Sequence, residues 1–232
     1  RCGVTHSALT STCLLLPHYL MPSLETLVAF FGVSVLLGLS PGPDNVFVLI
    51  QSAQRGWRLG LAVVLGLCLG IVVHTLAVAL GLAAVFAASE VAFSVLKWCG
   101  AAYLVYLAIG AWRAPVSVND SALADAAASK ASASGAELLK MVGRGFVMNL
   151  TNPKVLIFFL AFLPQFANPA LGPVAPQIFV FGAVFILSTF LVFGSIAIFS
   201  GVFGNLLLRS EKAQWWLNKL TAIVFVGLAL RL

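Results

Sequence analysis

Asp44 and Lys154 are the residues of this chain best placed to do chemistry in an apolar setting. Asp44 is the acidic residue well inside an apolar run, and Lys154 is the basic residue most nearly centred in one. A carboxylate and an ammonium so placed can bind a zwitterion, carry a proton or pair with each other. A charge at a bilayer centre costs at least about 2.5–3.5 kcal/mol on insertion scales, so such groups pair or line a pathway. Each stands beside proline, in Ser40-Pro41-Gly42-Pro43-Asp44-Asn45 and Asn149-Leu150-Thr151-Asn152-Pro153-Lys154. Pro41, Pro43 and Pro153 remove backbone donors and push their preceding residues out of the helical region, while Gly42 has no side chain to fix the bend. The carbonyls so freed need protein or a water-filled cavity, so the two breaks are expected to face one another or a pathway. Asn45, Asn149 and Asn152 add neutral hydrogen bonds. Capping of a half-helix by Asp44 or Asn45 is compatible with either role.

The elements that must hold these groups follow from composition. The chain has 232 residues, 61% hydrophobic and 9% charged, with a mean hydropathy of +1.07. Soluble domains carry about 25% charged residues, so this chain cannot cover a soluble surface. A span needs about 20 apolar residues. The apolar segments 24–51, 59–89, 91–111, 146–166, 178–208 and 215–232 give six spans, the first and fourth of them broken. The expected fold is an all-α polytopic membrane protein, with no room for a soluble catalytic domain. Cys2, Cys13, Cys68 and Cys99 form no CxxC pair or metal spacing, and His6, His18 and His74 are scattered. HExxH, GxSxG and P-loop strings are absent, so no cofactor, metal or enzymatic activity is expected.

Residues 1–20 lack the basic start, long apolar core and small-residue cleavage site of a signal peptide, and are expected to be a dispensable tail before Met21. Ala114–Glu137 is polar and rich in Ala and Ser, and reads as a linker between halves 21–113 and 138–232. The sixth span, about 18 residues long, is near the lower limit for crossing and is expected to be clipped. Arg55, Arg58, Arg113, Lys130, Lys140, Arg144, Arg209, Lys212 and Lys219 fall in alternate connections, while those around 87–90 and 164–177 hold no Lys or Arg. By the positive-inside rule the first kind is cytoplasmic, which places both termini outside. Lys97, near the outer start of span three, is a mild exception. The formal charge of +6 is therefore a topology signal and not a nucleic-acid footprint. From Arg55 to Asp44 is 11 residues, roughly 16 Å, and from Arg144 to Lys154 is 10 residues, roughly 15 Å, which puts both near the midplane.

Setting Pro43 on Pro153 superposes Asp44 on Lys154 and 46–50 on 156–160, and 97–103 weakly matches 219–225. Three spans per half would invert the second copy, and inverted repeats with discontinuous helices are characteristic of secondary transporters. In span two, Gly66, Gly70 and His74 share one face. The small residues suit close helix packing, within one chain or between two, so a homo-oligomer stays open. His74 suits either a proton relay or a hydrogen bond between helices. Trp98, Trp112, Trp215 and Trp216 read as interfacial anchors.

In these motifs, together with 96–104 and 158–166, the chain resembles the LysE/RhtB superfamily of bacterial amino-acid exporters, from about Met21 to the end. The resemblance implies export of amino acids or close derivatives from the cytoplasm across the bacterial inner membrane, driven by proton antiport. The substrate and proton pathway would run past Asp44, Asn45, His74, Asn149, Asn152 and Lys154. Export of metal cations on a related fold, and a passive channel, are the competing readings.

Overall fold

The computed structural model describes residues 21–40, 42–88, 90–114, 134–200 and 210–231. The expected tail, Pro41 and most of the expected linker lie outside the described residues. Helix α1 (Leu24–Leu39) starts at Ser23, whose hydroxyl accepts the Thr26 amide at 3.2 Å, and ends at Ser40 before the Pro41-Gly42-Pro43 sequence. Helix α2 (Pro43–Arg55) opens with proline at its first position, where the missing N–H costs nothing, and stops at Gly56 with φ +96°. Helices α1 and α2 are inclined at 66°.

Helix α3 (Trp57–Ala88) is 32 residues long, roughly 48 Å. Helix α4 (Glu90–Arg113) follows. Helix α5 (Gly135–Thr151) begins earlier than its apolar stretch, because Ser134 and Glu137 form a capping box that starts the helix inside the last residues of the expected linker. It gives way at Asn152 to α6 (Pro153–Ile157), a π-helical turn (Phe158–Phe162) and a 3₁₀ turn (Leu163–Phe166), bent by 54° from α5. Pro164 has no N–H for the helical ladder, and the widened turn before it absorbs that loss. Helices α7 (Val174–Ile198) and α8 (Glu211–Arg231) complete the chain. Buried Gln177, in the first turn of α7, satisfies the backbone of the preceding loop by accepting the Asn168 amide at 2.9 Å and donating to its carbonyl at 3.0 Å.

The result is an all-α, multi-pass membrane bundle. By length and composition α3 and α7 each suffice to cross a bilayer, and the described residues hold up to four spans if each bent pair counts as one. Helix α3 is the central post, packed on α5, α7 and α2, while α4 and α8 pack on each other at one side. A side chain at Gly66 would fall on the Val142 carbonyl, and one at Gly145 on that of Val63, so these positions let the α3 and α5 backbones touch. A Cβ at Gly70 would meet the Asn149 side chain at 2.5 Å, which ties that face of α3 to the second break.

Two apolar clusters flank the breaks. One joins Val48, Leu49, Val63, Leu67, Met141 and Ile196. The other is dominated by phenylalanines, with Phe30 of α1 fully buried against Phe166 at 5.0 Å and Phe181 at 4.9 Å, and Phe158, Phe159 and Phe185 stacked beside them.

Candidate functional site

The two breaks meet. The Asn152 amide donates to Asp44 Oδ2 at 2.7 Å, across 108 residues of sequence. The Lys154 ammonium donates to the carbonyls of Leu37 and Ser40, both at 3.2 Å. These carbonyls belong to the last turn of α1, which the break leaves without helical partners. The ammonium therefore sits at the negative end of one half-helix and satisfies two of its carbonyls directly. A third, that of Gly38, accepts from the Asn45 amide at 2.7 Å, stitching α2 back onto α1.

The second break carries its own cap: Asn152 Oδ1 accepts the Lys154 backbone amide at 3.0 Å. The Asn152 N–H in turn closes onto the Asn149 carbonyl at 3.1 Å. His74 Nε2 lies 3.4 Å from that same carbonyl, with its ring 5.6 Å from that of Phe159. His74 thus joins α3 to the end of α5.

Asp44, Asn149 and Lys154, with Thr189 of α7, border a cavity of about 20 Å³. Asp44 and Lys154 do not touch as an ion pair. Asp44 is 4% exposed and Asn149 2% exposed, and Asp44 Oδ1 and Asn149 Oδ1 have no hydrogen-bond partner. Asn45 Oδ1 and Gln51 Oε1 share that condition, so the buried side-chain atoms left unmatched among the described residues are acceptors.

On the other side of Asn152 and Lys154 lies a partly open vestibule of about 580 Å³. Ser40, Gly42, Pro43, Asn152, Pro153 and Lys154 form its inner end. Its walls come from α4, with Tyr103, Tyr106 and Arg113, and from α8, with Asn218, Thr221 and Phe225. The side walls are joined by Lys219, which donates to the Trp112 carbonyl at 2.9 Å and stands 3.6 Å over its ring. Sequence reasoning named the inner end and missed these walls. Tyr103 lay inside a quoted motif, but nothing in an apolar run tells which face lines a cavity. Gly66 and Gly70 pack on α5 rather than line either space.

Residues 35–232 match the family model of the LysE type translocator. The chain is 32% identical over 201 residues to an uncharacterized membrane protein of Vibrio cholerae, covering 86% of this chain and 92% of that one. It is 38% identical over 141 residues to a homoserine/homoserine lactone efflux protein of Salmonella typhi, covering 61% of this chain and 64% of that one. It is 30% identical over 205 residues to a leucine efflux protein of Enterobacter, covering 88% of this chain and 90% of that one. No solved structure matches. Both helix breaks and helices α3 to α8 fall within the matched region, and the chain belongs to the LysE type translocator family.

Proposed function

We propose that this protein is a secondary exporter of amino acids or close derivatives in the bacterial inner membrane, working by proton antiport. The observation that carries the reading is the meeting of the two broken helices, where the ammonium of one borders a vestibule and the carboxylate of the other lies just beyond it, held by Asn152. Relatives named for leucine and homoserine efflux supply the substrate class.

In this reading the chain crosses six times, as two inverted three-helix halves, 21–113 and 138–232, with the 114–137 linker in the cytoplasm and both termini outside. Residues 1–20 are dispensable. Arg113 closes α4 at the cytoplasmic end, so the vestibule opens to the cytoplasm and its inner end reaches the midplane. The phenylalanine cluster around Phe30 and Phe181 fills the outer half and bars passage. Asp44 accepts the coupling proton from outside, Lys154 meets the substrate carboxylate, and Asn45, Asn149 and Asn152 adjust hydrogen bonds between states.

The test is efflux from preloaded vesicles across a panel of amino acids. Export against a gradient is expected to stop when the pH gradient is collapsed. Uphill efflux that continued unchanged would remove the antiport, and purely downhill flux would make the protein a channel.

A further inference from the structure

We infer that Asn218 and Thr221 of α8 are specificity residues, which read the substrate's side chain by hydrogen bonds and select short neutral polar side chains over apolar ones of the same shape. The inference deepens the exporter reading and rests on it.

The use of buried hydroxyls is the first ground. Ser34, Ser52, Thr75 and Ser188 each donate to a carbonyl of their own helix, at 2.7–2.8 Å. Such a bond spends the hydroxyl within the fold. Thr221 is comparably buried, at 6% exposed, yet makes no such bond among the described residues. Asn218, one turn earlier and 8% exposed, likewise bonds to none of them through its side chain. A polar group in an apolar bundle is costly without a partner, so one left uncommitted beside a cavity marks a place for a ligand.

Placement is the second. Asn218, Thr221 and Phe225 stand at i, i+3 and i+7 on one face of α8, and all three line the vestibule. Lys219, on the neighbouring face, is held by the Trp112 carbonyl and ring, which fixes α8 against α4. Lys154 lies at the inner end of the same vestibule, where the exporter reading gives it the substrate carboxylate. A substrate held there by its carboxylate presents its side chain to the walls, and this face of α8 is one of them.

Chemistry is the third. An amide and a hydroxyl each carry donor and acceptor, so together they satisfy a hydroxyl or carbonyl whichever way it points. Neither has a charge to complement an acidic or basic side chain. An aliphatic side chain in the same place would shield both from water and leave them unpaired, which costs more than the missing bond itself. A site that bonds a hydroxyl therefore rejects the analogue lacking it far more strongly than an apolar pocket rejects the analogue bearing one.

The experiment measures efflux from proteoliposomes holding the full chain. Two pairs are used, homoserine against norvaline and threonine against valine, each differing by a hydroxyl in place of a methyl group. The kcat/KM for each hydroxy amino acid is expected to exceed that of its partner at least about tenfold. The double variant Asn218→Leu with Thr221→Val is expected to bring both ratios within about twofold, by weakening the hydroxy substrates and favouring the apolar ones. Its thermal midpoint in detergent should hold, because neither side chain bonds within the fold. Thr221→Ser, which keeps the hydroxyl, should retain the preference. Equal efflux within both pairs in the parent overturns the inference and leaves the exporter reading standing, as does a preference that survives the double substitution. A lowered midpoint in the double variant would make the two side chains structural and overturns it as well. Absence of uphill efflux for every amino acid of the panel overturns the exporter reading and the inference with it.

Discussion

The two broken helices solve the same problem in opposite ways. The second is self-sufficient: Asn152 caps the half-helix that follows it, and its N–H returns to the Asn149 carbonyl. The first is not. Gly42 offers no cap to α2, and two carbonyls at the end of α1 are satisfied by Lys154, a residue of the other break. The difference teaches that the pair is a dependency and not a symmetric handshake. The second break supplies the donors, Asn152 and Lys154, and the first supplies acceptors, Asp44 and the α1 carbonyls. Any movement that separates the halves must find new partners for the first break, and a substrate or proton arriving there is what could supply them.

The largest effect is expected from Lys154→Met. It strips the Leu37 and Ser40 carbonyls of their donor, at about 1–3 kcal/mol for each buried group left unpaired. Both the thermal midpoint in detergent and efflux should fall. Asp44→Asn is expected to behave differently, because an amide oxygen still accepts from Asn152 while no proton can be carried. Uphill efflux should drop at least about tenfold, with thermal stability within about 1 kcal/mol of the parent. Equal thermal damage from both substitutions would break the comparison, since it would make the two charges a mutual structural pair.

Smaller effects separate the caps. Asn152→Ala removes a side-chain cap worth about 1 kcal/mol as well as the bond to Asp44, so thermal stability should fall measurably. Gly42→Ala removes no cap and, with Gly42 in extended backbone at φ −168°, adds no backbone strain. Its methyl group crowds the Lys154 ammonium instead, so a raised KM for efflux with unchanged thermal stability is the expected outcome. A stability loss at Gly42 as large as that at Asn152 would mean that both breaks depend on local geometry alike.

How much of this could be read beforehand follows the same divide. Asp44 and Lys154 stand out because charges beside prolines in apolar sequence are rare, and the depth estimate from Arg55 and Arg144 places them level. The start of α5 was also legible, since Ser134 and Glu137 have capping-box spacing, but the polar composition of 114–137 outweighed it. What the sequence could not show is which acceptor each donor finds. Nothing in an aliphatic run such as Leu36-Leu37-Gly38-Leu39 marks its carbonyls as the seat of an ammonium 117 residues away. The vestibule walls were hidden for a related reason, because Asn218 and Thr221 acquire meaning only once α8 lies against α4.

The smallest effect tests whether the breaks communicate by another route. Arg55, the last residue of α2, pairs with Glu137 in the first turn of α5, so the ion pair links the far arm of the first break to the near arm of the second. Its side chains are 35% and 42% exposed, and exposed pairs contribute little and are screened by salt. Glu137→Gln keeps the capping-box geometry with Ser134, because glutamine serves at that position as glutamate does, and removes only the charge. Thermal unfolding should be unchanged, and efflux should shift by less than about twofold, a difference that vanishes in high salt. A tenfold change that salt did not abolish would show the arms joined by Arg55 and Glu137 to be the stronger link, and the dependence of the first break on Lys154 would then be the secondary one.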